Sequence, residues 1–539
     1  MYKIIFDPSH SPWKKYNFED INIYLAGNII LDEIAISEQE AAIYLKNIFE
    51  EYDFSLNDHE IFTELNGQFS FIYESKDQLL IFMDRIRSFP LFYSKINKGL
   101  LISNNAHKLN EENSSLNINP KGLQEFRMSG YTLGSKTIYK EINQFLAGEF
   151  VLVDKELNMA EFKRYFNFYD DQVQSFERKD LLKKINDTIN QSIQETIKVA
   201  NGRTIIVPLS AGLDSRIILG KLKEFNYSKI FCYTYGPKHI WEAKVAKRLA
   251  EQANVPWEFV QLSQKDKKLF NTEDRKRYYT NYSGYCSIPH LSDYYALQKL
   301  EEKGHIHGKD CIVVNGQSGD FISGSHIPKG IHNLSNDVLF DTIIHKHFAL
   351  WSNLINSESK AAITDEINHQ YELNSDQDST QIKAKKIEFF ECHERQFKYV
   401  INGQRAYDHL GYSWHLPLWS NSMLSFWKKI DISDKMGQDA YKEYCKVYNP
   451  FKLFDIKEKK SHNCLPPLIQ FTMICVKILN RINPRIDKSG IKRTYFNFFD
   501  KYAPYYPMKK YSQYLIDSKY HRHCVSYWTK YFLEENGIK

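Results

Sequence analysis

The sequence predicts an α+β sandwich over residues 1 to about 165, followed from about 175 to the end by an α/β unit on a doubly wound parallel sheet with a helical last part. Three observations predict it. Short strands with turn punctuation fill the first 105 residues; apolar strands and amphipathic helices alternate from 178 to 314; and 539 residues with 42% hydrophobic content exceed what one core organises.

In the first part, Ile21–Leu25, Gly67–Tyr73, Gln78–Met83 and Leu100–Ser103 read as strands, with a helix over Glu38–Glu51. After the polar stretch Lys108–Asn119 come a short helix near Gly122–Met128 and two strands ending near Val153, and the unit closes near Tyr165. In the second part an amphipathic helix over Arg178–Val199 precedes the strand Thr204–Leu209. Helix 213–225, strand 229–235, helix 240–253, strand 257–262, helix 289–303 and strand 310–314 then follow in turn, the signature of a parallel sheet with crossover helices. Beyond 335 the pattern is mostly helical, with a polar loop at Asn374–Thr380.

Composition excludes several classes. Lysine and arginine number 71 against 66 aspartates and glutamates, a formal charge of +5, too even for a nucleic-acid partner. The eight cysteines include no C-x-x-C pair, so neither a zinc cluster nor a disulfide framework is expected. The N-terminus lacks an uninterrupted apolar region, and no stretch reaches the ~20 apolar residues that span a bilayer. The expected compartment is the cytoplasm.

The strand Thr204–Leu209 runs directly into Ser210-Ala-Gly-Leu-Asp-Ser215, after which positions 217, 218, 222 and 225 keep a helical period. A small-residue turn at a helix N-terminus presents unpaired amides and the positive end of the helix dipole, a setting for phosphate. Ser210 and Ser215 add hydroxyls, Gly212 allows close approach, and Asp214 offers a hard oxygen for magnesium. The G-x-x-x-x-G-K-[ST] pattern of a Walker loop is absent. A second small-residue turn, Gly316-Gln-Ser-Gly-Asp320, follows the strand Cys311–Asn315 and falls at the carboxyl end of the same sheet, where open α/β sheets bind ligands.

The first turn resembles the pyrophosphatase-type loop of enzymes that split ATP between its α and β phosphates, and the pair resembles the asparagine synthetase B family, with its relatives β-lactam synthetase and the lasso-peptide cyclases. The resemblance extends along most of the chain. Leu65-Asn-Gly-Gln-Phe, Asp84-Arg-Ile-Arg-Ser-Phe-Pro and Leu146-Ala-Gly-Glu-Phe look like that family's glutaminase-domain signatures. Tyr233-Thr-Tyr-Gly-Pro, Glu242-Ala-Lys-Val-Ala and Leu416-Pro-Leu-Trp look like its synthetase landmarks. It implies an Ntn-hydrolase-like first domain and an ATP-pyrophosphatase second domain, with ATP and Mg2+ as cofactors. It also places Leu209 and Tyr235 around the adenine and Asn315 and Gly316 beside the ribose and α-phosphate. Ser210, Gly212, Asp214, Ser215 and Asp320 then hold the pyrophosphate, with Asp214 and Asp320 on the metal. The implied chemistry is adenylation of a carboxylate, then attack by an amine to form an amide.

The chain departs from that pattern in three places. Position 2 is Tyr2 and no cysteine precedes Cys232, so the first domain has no thiol nucleophile and is expected to lack glutaminase activity, as in β-lactam synthetase. Asn66, Gly67 and Asp84 are then expected as turn and packing residues. Gln317 stands where the family places a carboxylate or tyrosine, and an amide cannot accept the amine's proton. Glu391 and Glu394 are the candidate bases, weighed against a solvated charged face, and His393 is a weaker third. The family's late lysine maps to Lys459, with Lys457 and Lys460 as neighbours, weighed against a surface basic run. Arg216 replaces a small residue and is expected to face a phosphate or the helix surface.

The expected partners are a carboxylate-bearing metabolite or sugar and an amine donor, with a uronic-acid sugar of a surface polysaccharide suggested by the resemblance. Asparagine synthesis from aspartate and ammonia, closure of a ring within one molecule, and a non-catalytic nucleotide-binding relative are the alternatives. The Tyr-, Phe- and Lys-rich stretch Lys492–Lys530 is expected to pack its aromatic residues with a basic rim rather than to meet a membrane surface. Nothing in the sequence encodes the oligomeric state.

Overall fold

The computed structural model describes residues 2–32, 34–52, 60–96, 99–112, 115–155, 159–170, 172–238, 240–373, 378–457 and 520–538, together with residues 471, 474, 475, 478, 479, 481 and 517. It is a mixed α/β chain with three sheets.

Two of the sheets use the first 164 residues. The larger runs, in spatial order, Met159–Arg164, Glu149–Asp154, Gln78–Met83, Asn66–Glu74, Ile21–Leu31 and Lys14–Phe18, with the short Ile34–Ala35 paired to Ile21–Leu31. Its strands alternate by two. Ile23, Leu25, Phe71, Leu80, Phe82 and Phe150 share a core with Ala41, Ala42, Leu45 and Phe49 of the helix Glu38–Glu51. The opposite face, with Tyr24, Ala26, Ile72, Ile81 and Val151, joins the main core with Tyr93, Leu100 and Ile102 of a four-stranded sheet. That sheet runs Tyr2–Ile4, Gly99–Ser103, Phe92–Ile96, Asn143–Gln144. Burial of both faces explains why these strands read so clearly. Five strands of these two sheets go beyond the sequence reading: Tyr2–Ile4, Lys14–Phe18, Ile34–Ala35, Phe92–Ile96 and Met159–Arg164. Lys14–Phe18 and Met159–Arg164 are the two outermost strands of the larger sheet, where polar residues blunt the apolar signal.

The third sheet has five parallel strands in the order Trp257–Gln261, Ile230–Gly236, Thr204–Pro208, Cys311–Val314, Ser413–His415. Ile205 pairs with Ile230 on one side, and Thr204 with Cys311 on the other. The chain therefore builds outward from Thr204–Pro208 in one direction and returns to its other side. This reversal opens a crevice at the carboxyl ends of Thr204–Pro208 and Cys311–Val314, between the two small-residue turns. The edge strand Ser413–His415, three residues reached after a long helical excursion, is too short for periodicity to reveal. The part beyond 335 is helical, including π-helical turns over Glu391–Val400. No helix among the described residues is long and apolar enough to cross a membrane.

The sandwich grips the parallel-sheet part through the Leu65–Gln68 motif. The buried Gln68 carboxamide donates from Nε2 to the Leu416 carbonyl at 2.8 Å and accepts the Leu416 N–H at 2.9 Å. Asn421 donates to the Leu65 carbonyl at 3.1 Å, and Arg85 to Ser425 at 2.9 Å. Gly67 lies in a strand rather than a turn: its φ is +130°, and a Cβ there would sit 2.1 Å from the Asn28 carbonyl oxygen. Asp84 does cap a turn, accepting from the Ser88 N–H at 2.8 Å and the Phe69 N–H at 3.2 Å, while Asn66 reaches Glu195 at 3.4 Å.

Replacing Gln68 by Ala leaves both polar groups of the Leu416 backbone buried without partners. A loss of about 2 kcal/mol is expected, read as a lower urea midpoint; an unchanged midpoint contradicts the clamp.

Candidate functional site

The turn after Thr204–Pro208 closes on its own hydroxyls. The Ser210 N–H donates to Ser215 Oγ at 3.1 Å, the two hydroxyls lie 3.2 Å apart, and the Gly212 N–H donates to Ser210 Oγ at 3.1 Å. Gly212 is the N-cap of the helix Leu213–Glu224 and supplies no side-chain cap, so that terminus keeps its anion-attracting amides. The second turn packs directly on the first. A Cβ on Gly316 would lie 3.0 Å from the Ser215 nitrogen, and one on Gly319 only 2.5 Å from Asp214 Oδ1. Both positions need glycine because the two loops touch.

That contact brings two acids together. The Asp320 N–H donates to Asp214 Oδ2 at 3.1 Å, and the Tyr441 hydroxyl donates to Asp214 Oδ1 at 2.9 Å. Burial, then the charge of Asp320, push the Asp214 carboxyl up to about 7. Burial also opposes ionisation of Asp320, but the His326 imidazole at 3.5 Å overcomes it and holds this carboxyl below its ordinary value. His326 in turn bonds Glu391, which Lys346 meets at 2.8 Å and His347 at 3.3 Å.

A cavity of about 390 Å³ lies beside the first turn, lined by Leu209, Ser210, Tyr235, Asn315 and Gln317 among others. Asn315 donates to the Tyr407 hydroxyl at 3.0 Å, and Tyr407 donates to Asp293 at 2.5 Å; the Tyr235 hydroxyl also bonds Asp293. Gln317 accepts from Gln404 Nε2 at 2.7 Å, so its carboxamide faces another amide and no base.

The structure thus gathers Leu209, Ser210, Gly212, Asp214, Ser215, Tyr235, Asn315, Gly316 and Asp320 around one crevice. The candidate bases lie elsewhere in function. Glu391 and Glu394 are each 1% exposed, which corrects the solvated-face alternative, and both are committed to partners. Glu394 meets Lys398 at 2.7 Å, the Tyr371 hydroxyl at 2.5 Å and the Gly134 N–H at 3.2 Å, on the side facing the sandwich. Glu391 is held well below the carboxylate range: burial opposes this, and His347 and His326 outweigh it. His393 is buried and held neutral, its Nε2 accepting from the Phe168 N–H at 3.3 Å. Arg216 faces neither phosphate nor solvent: it is buried and donates to the carbonyls of Ala211, Leu453 and Ile456. Lys459 and Lys460 lie outside the described residues; Lys457 is exposed at a cavity it shares with Ala211, Leu213 and Arg216. Tyr441, His326, Tyr407 and Asp293 escaped the sequence reading, because each reaches the crevice from an element with no small-residue motif.

The donor set fits magnesium carried by a phosphate chain. No group of three or more His, Cys, Asp or Glu able to hold a metal occurs among the described residues, whereas magnesium uses one or two carboxylates plus phosphate oxygens. Two carboxylates forced together across glycine contacts supply that pair.

The family model described as a glutamine amidotransferase domain matches residues 50–166. No curated protein matches the chain. Among solved structures, the NH3-dependent NAD synthetase of Campylobacter jejuni subsp. jejuni NCTC 11168 is 13% identical over 40% of this chain and 94% of its own, with a TM-score of 0.21. The NMN synthetase of Francisella tularensis is 14% identical over 40% and 92%, with a TM-score of 0.20. The glutamine phosphoribosylpyrophosphate amidotransferase of B. subtilis is 9% identical over 57% and 59%, with a TM-score of 0.15. TM-scores this low establish no common arrangement, and the site's own residues carry the reading.

Asp214 supplies a signed pH test on metal-free protein. Its folded pKa of about 7 exceeds the ordinary carboxyl value, so the folded state holds an extra proton between the two and loses that stability as pH rises to 7. Asp214→Asn removes the loss. The variant's advantage in thermal melts should grow by roughly 2 to 3 kcal/mol from pH 5 to pH 8; an equal advantage at both pH values contradicts the raised Asp214 carboxyl.

Proposed function

We propose that this chain is an ATP-dependent amide ligase that adenylates a carboxylate, releases pyrophosphate, and joins ammonia or a small amine to the activated acyl group. The observation that carries the reading is the convergence of the Ser210–Ser215 helix-terminal loop, the Asp214–Asp320 pair and the Leu209–Tyr235 cavity at the switch point of the parallel sheet. The adenine enters the cavity between Leu209 and Tyr235, and Asn315 and Gly316 flank the ribose and α-phosphate. The β- and γ-phosphates lie on the amides and hydroxyls of Ser210, Gly212 and Ser215. Magnesium held by Asp214 and Asp320, when bound, supplies charge neutralisation to the leaving pyrophosphate.

The acceptor's carboxylate oxygen attacks the α-phosphorus and expels pyrophosphate; the amine then attacks the acyl carbon and expels AMP. Neither Gln317 nor Gln404 takes a proton, and Glu391 and Glu394 are tied up in buried ion pairs. The amine therefore enters as its free base. The sandwich, with no cysteine before Cys232, serves as a structural partner without glutaminase activity, and the division near residues 165–175 follows from the end of its last strand at Arg164. A uronic-acid sugar is the preferred acceptor on motif resemblance. ATP supply, and the absence of disulfides among the described cysteines, support action in the cytoplasm.

The test is pyrophosphate release from ATP, screened over aspartate and uronic-acid sugars with ammonia or amino acids as donors. Release should require one acceptor and fall at least 100-fold in Asp320→Ala. At fixed total ammonia the rate should climb with pH in proportion to the free base, and glutamine should not replace ammonia. Tight ATP binding without turnover on any acceptor overturns the ligase reading; glutamine-supported turnover overturns the inactive sandwich.

A further inference from the structure

A second cluster of charge lies two ring contacts away from the nucleotide cavity, through His290, and takes no part in the chemistry above. Arg395 lies on the π-helical turns Glu391–Val400, next to Gln396, which accepts from Ser318 of the second loop at 3.1 Å. Its guanidinium stands over the Tyr399 ring at 5.4 Å. The Tyr399 ring is 4.5 Å from that of His290, and His290 lines the nucleotide cavity, with its Nε2 buried and lacking a hydrogen-bond partner. Tyr131, from the sandwich, closes the other side at 5.9 Å from Tyr399.

Arg395 is partly buried and makes no hydrogen bond or ion pair with any described residue, although a guanidinium carries five donors. Its surroundings do not neutralise it. Arg522 lies close enough for each guanidinium to be felt by His523, and burial with these two charges keeps His523 neutral. Burial and Arg395 do the same to His290. His347 is likewise held down by burial, with Arg395 opposing the pull of Glu391. The nearby carboxylates are spent, Glu391 on His326, Lys346 and His347, and Glu394 on Lys398 and Tyr371. Two guanidiniums and three neutral imidazoles, with the neighbouring described acids already paired, leave net positive charge around Arg395. A planar fork of donors in such a field matches the oxygens of a carboxylate or phosphate.

We infer that Arg395, linked to the nucleotide cavity through the Tyr399 and His290 rings, anchors an anionic group of the acceptor, a carboxylate or a phosphate. The inference rests on the ligase reading and narrows its acceptor to an anion that meets Arg395 on the Tyr399 and His290 side. His290, whose other ring nitrogen bonds the Tyr399 backbone, keeps Nε2 to meet a hydroxyl of the same molecule.

The experiment uses the full chain with magnesium and an ATP analogue carrying a methylene bridge between its α and β phosphates. D-glucuronate, glucose 1-phosphate and glucose are titrated by calorimetry into native protein, Arg395→Gln and Arg395→Lys. Native protein should bind glucuronate or glucose 1-phosphate and not glucose; Arg395→Gln should weaken the anion at least 10-fold with unchanged affinity for the analogue, and Arg395→Lys should recover part of the loss. Which anion binds separates the carboxylate from the phosphate. Equal anion affinity in native protein and Arg395→Gln, or no anion binding by native protein that does bind the analogue, overturns the inference alone. Failure of native protein to bind the analogue overturns the ligase reading and the inference with it.

Discussion

The charges of Asp214 and Asp320 are held within reach of one another by the meeting of two loops, and the rest of the site is arranged around that constraint. Nothing in a folded chain brings like charges together for stability's sake. Here the approach is enforced by glycines that leave no room to retreat, since a side chain on Gly319 would collide with Asp214 and with Leu418. Tyr441 holds one oxygen of Asp214, and His326 leans on Asp320 while Glu391, Lys346 and His347 hold His326 in place. A bound cation would relieve this repulsion, and the helix-terminal amides beside it suit an anion.

The sandwich belongs to this arrangement although no cysteine precedes Cys232. Gln68 fixes Leu416 through both backbone groups. Two residues on, Leu418 packs against Gly319, and Trp419 stacks with Phe321 at 5.9 Å. A line of contact thus runs from the amidotransferase-type motif to the two aspartates. The residues that resemble a glutamine-binding sequence do structural labour: Asn66 reaches the helix Arg178–Ala200, Gly67 admits a neighbouring carbonyl, and Asp84 caps the turn at Ser88.

Much of this was legible in the sequence, for local reasons. Strands buried on both faces, such as Gln78–Met83 and Thr204–Pro208, announce themselves as apolar runs, and the small residues of Ser210–Ser215 mark the turn between strand and helix. What escaped was non-local. Glu391 and Glu394 read as a charged helical face because the groups that bury them, His326, Lys346 and Tyr371, arrive from other elements. Arg216 looked like a phosphate ligand or a surface residue, whereas carbonyls more than two hundred positions away claim it. Ser413–His415 is a strand only because Cys311–Val314 offers it an edge.

The most direct measurement is a crystal structure of the full chain with magnesium and the methylene-bridged ATP analogue. The account predicts the triphosphate over the Ser210–Ser215 amides, the adenine between Leu209 and Tyr235, and the metal bridging phosphate oxygens to Asp214 and Asp320. A nucleotide bound elsewhere, or a metal that touches neither aspartate, would contradict it.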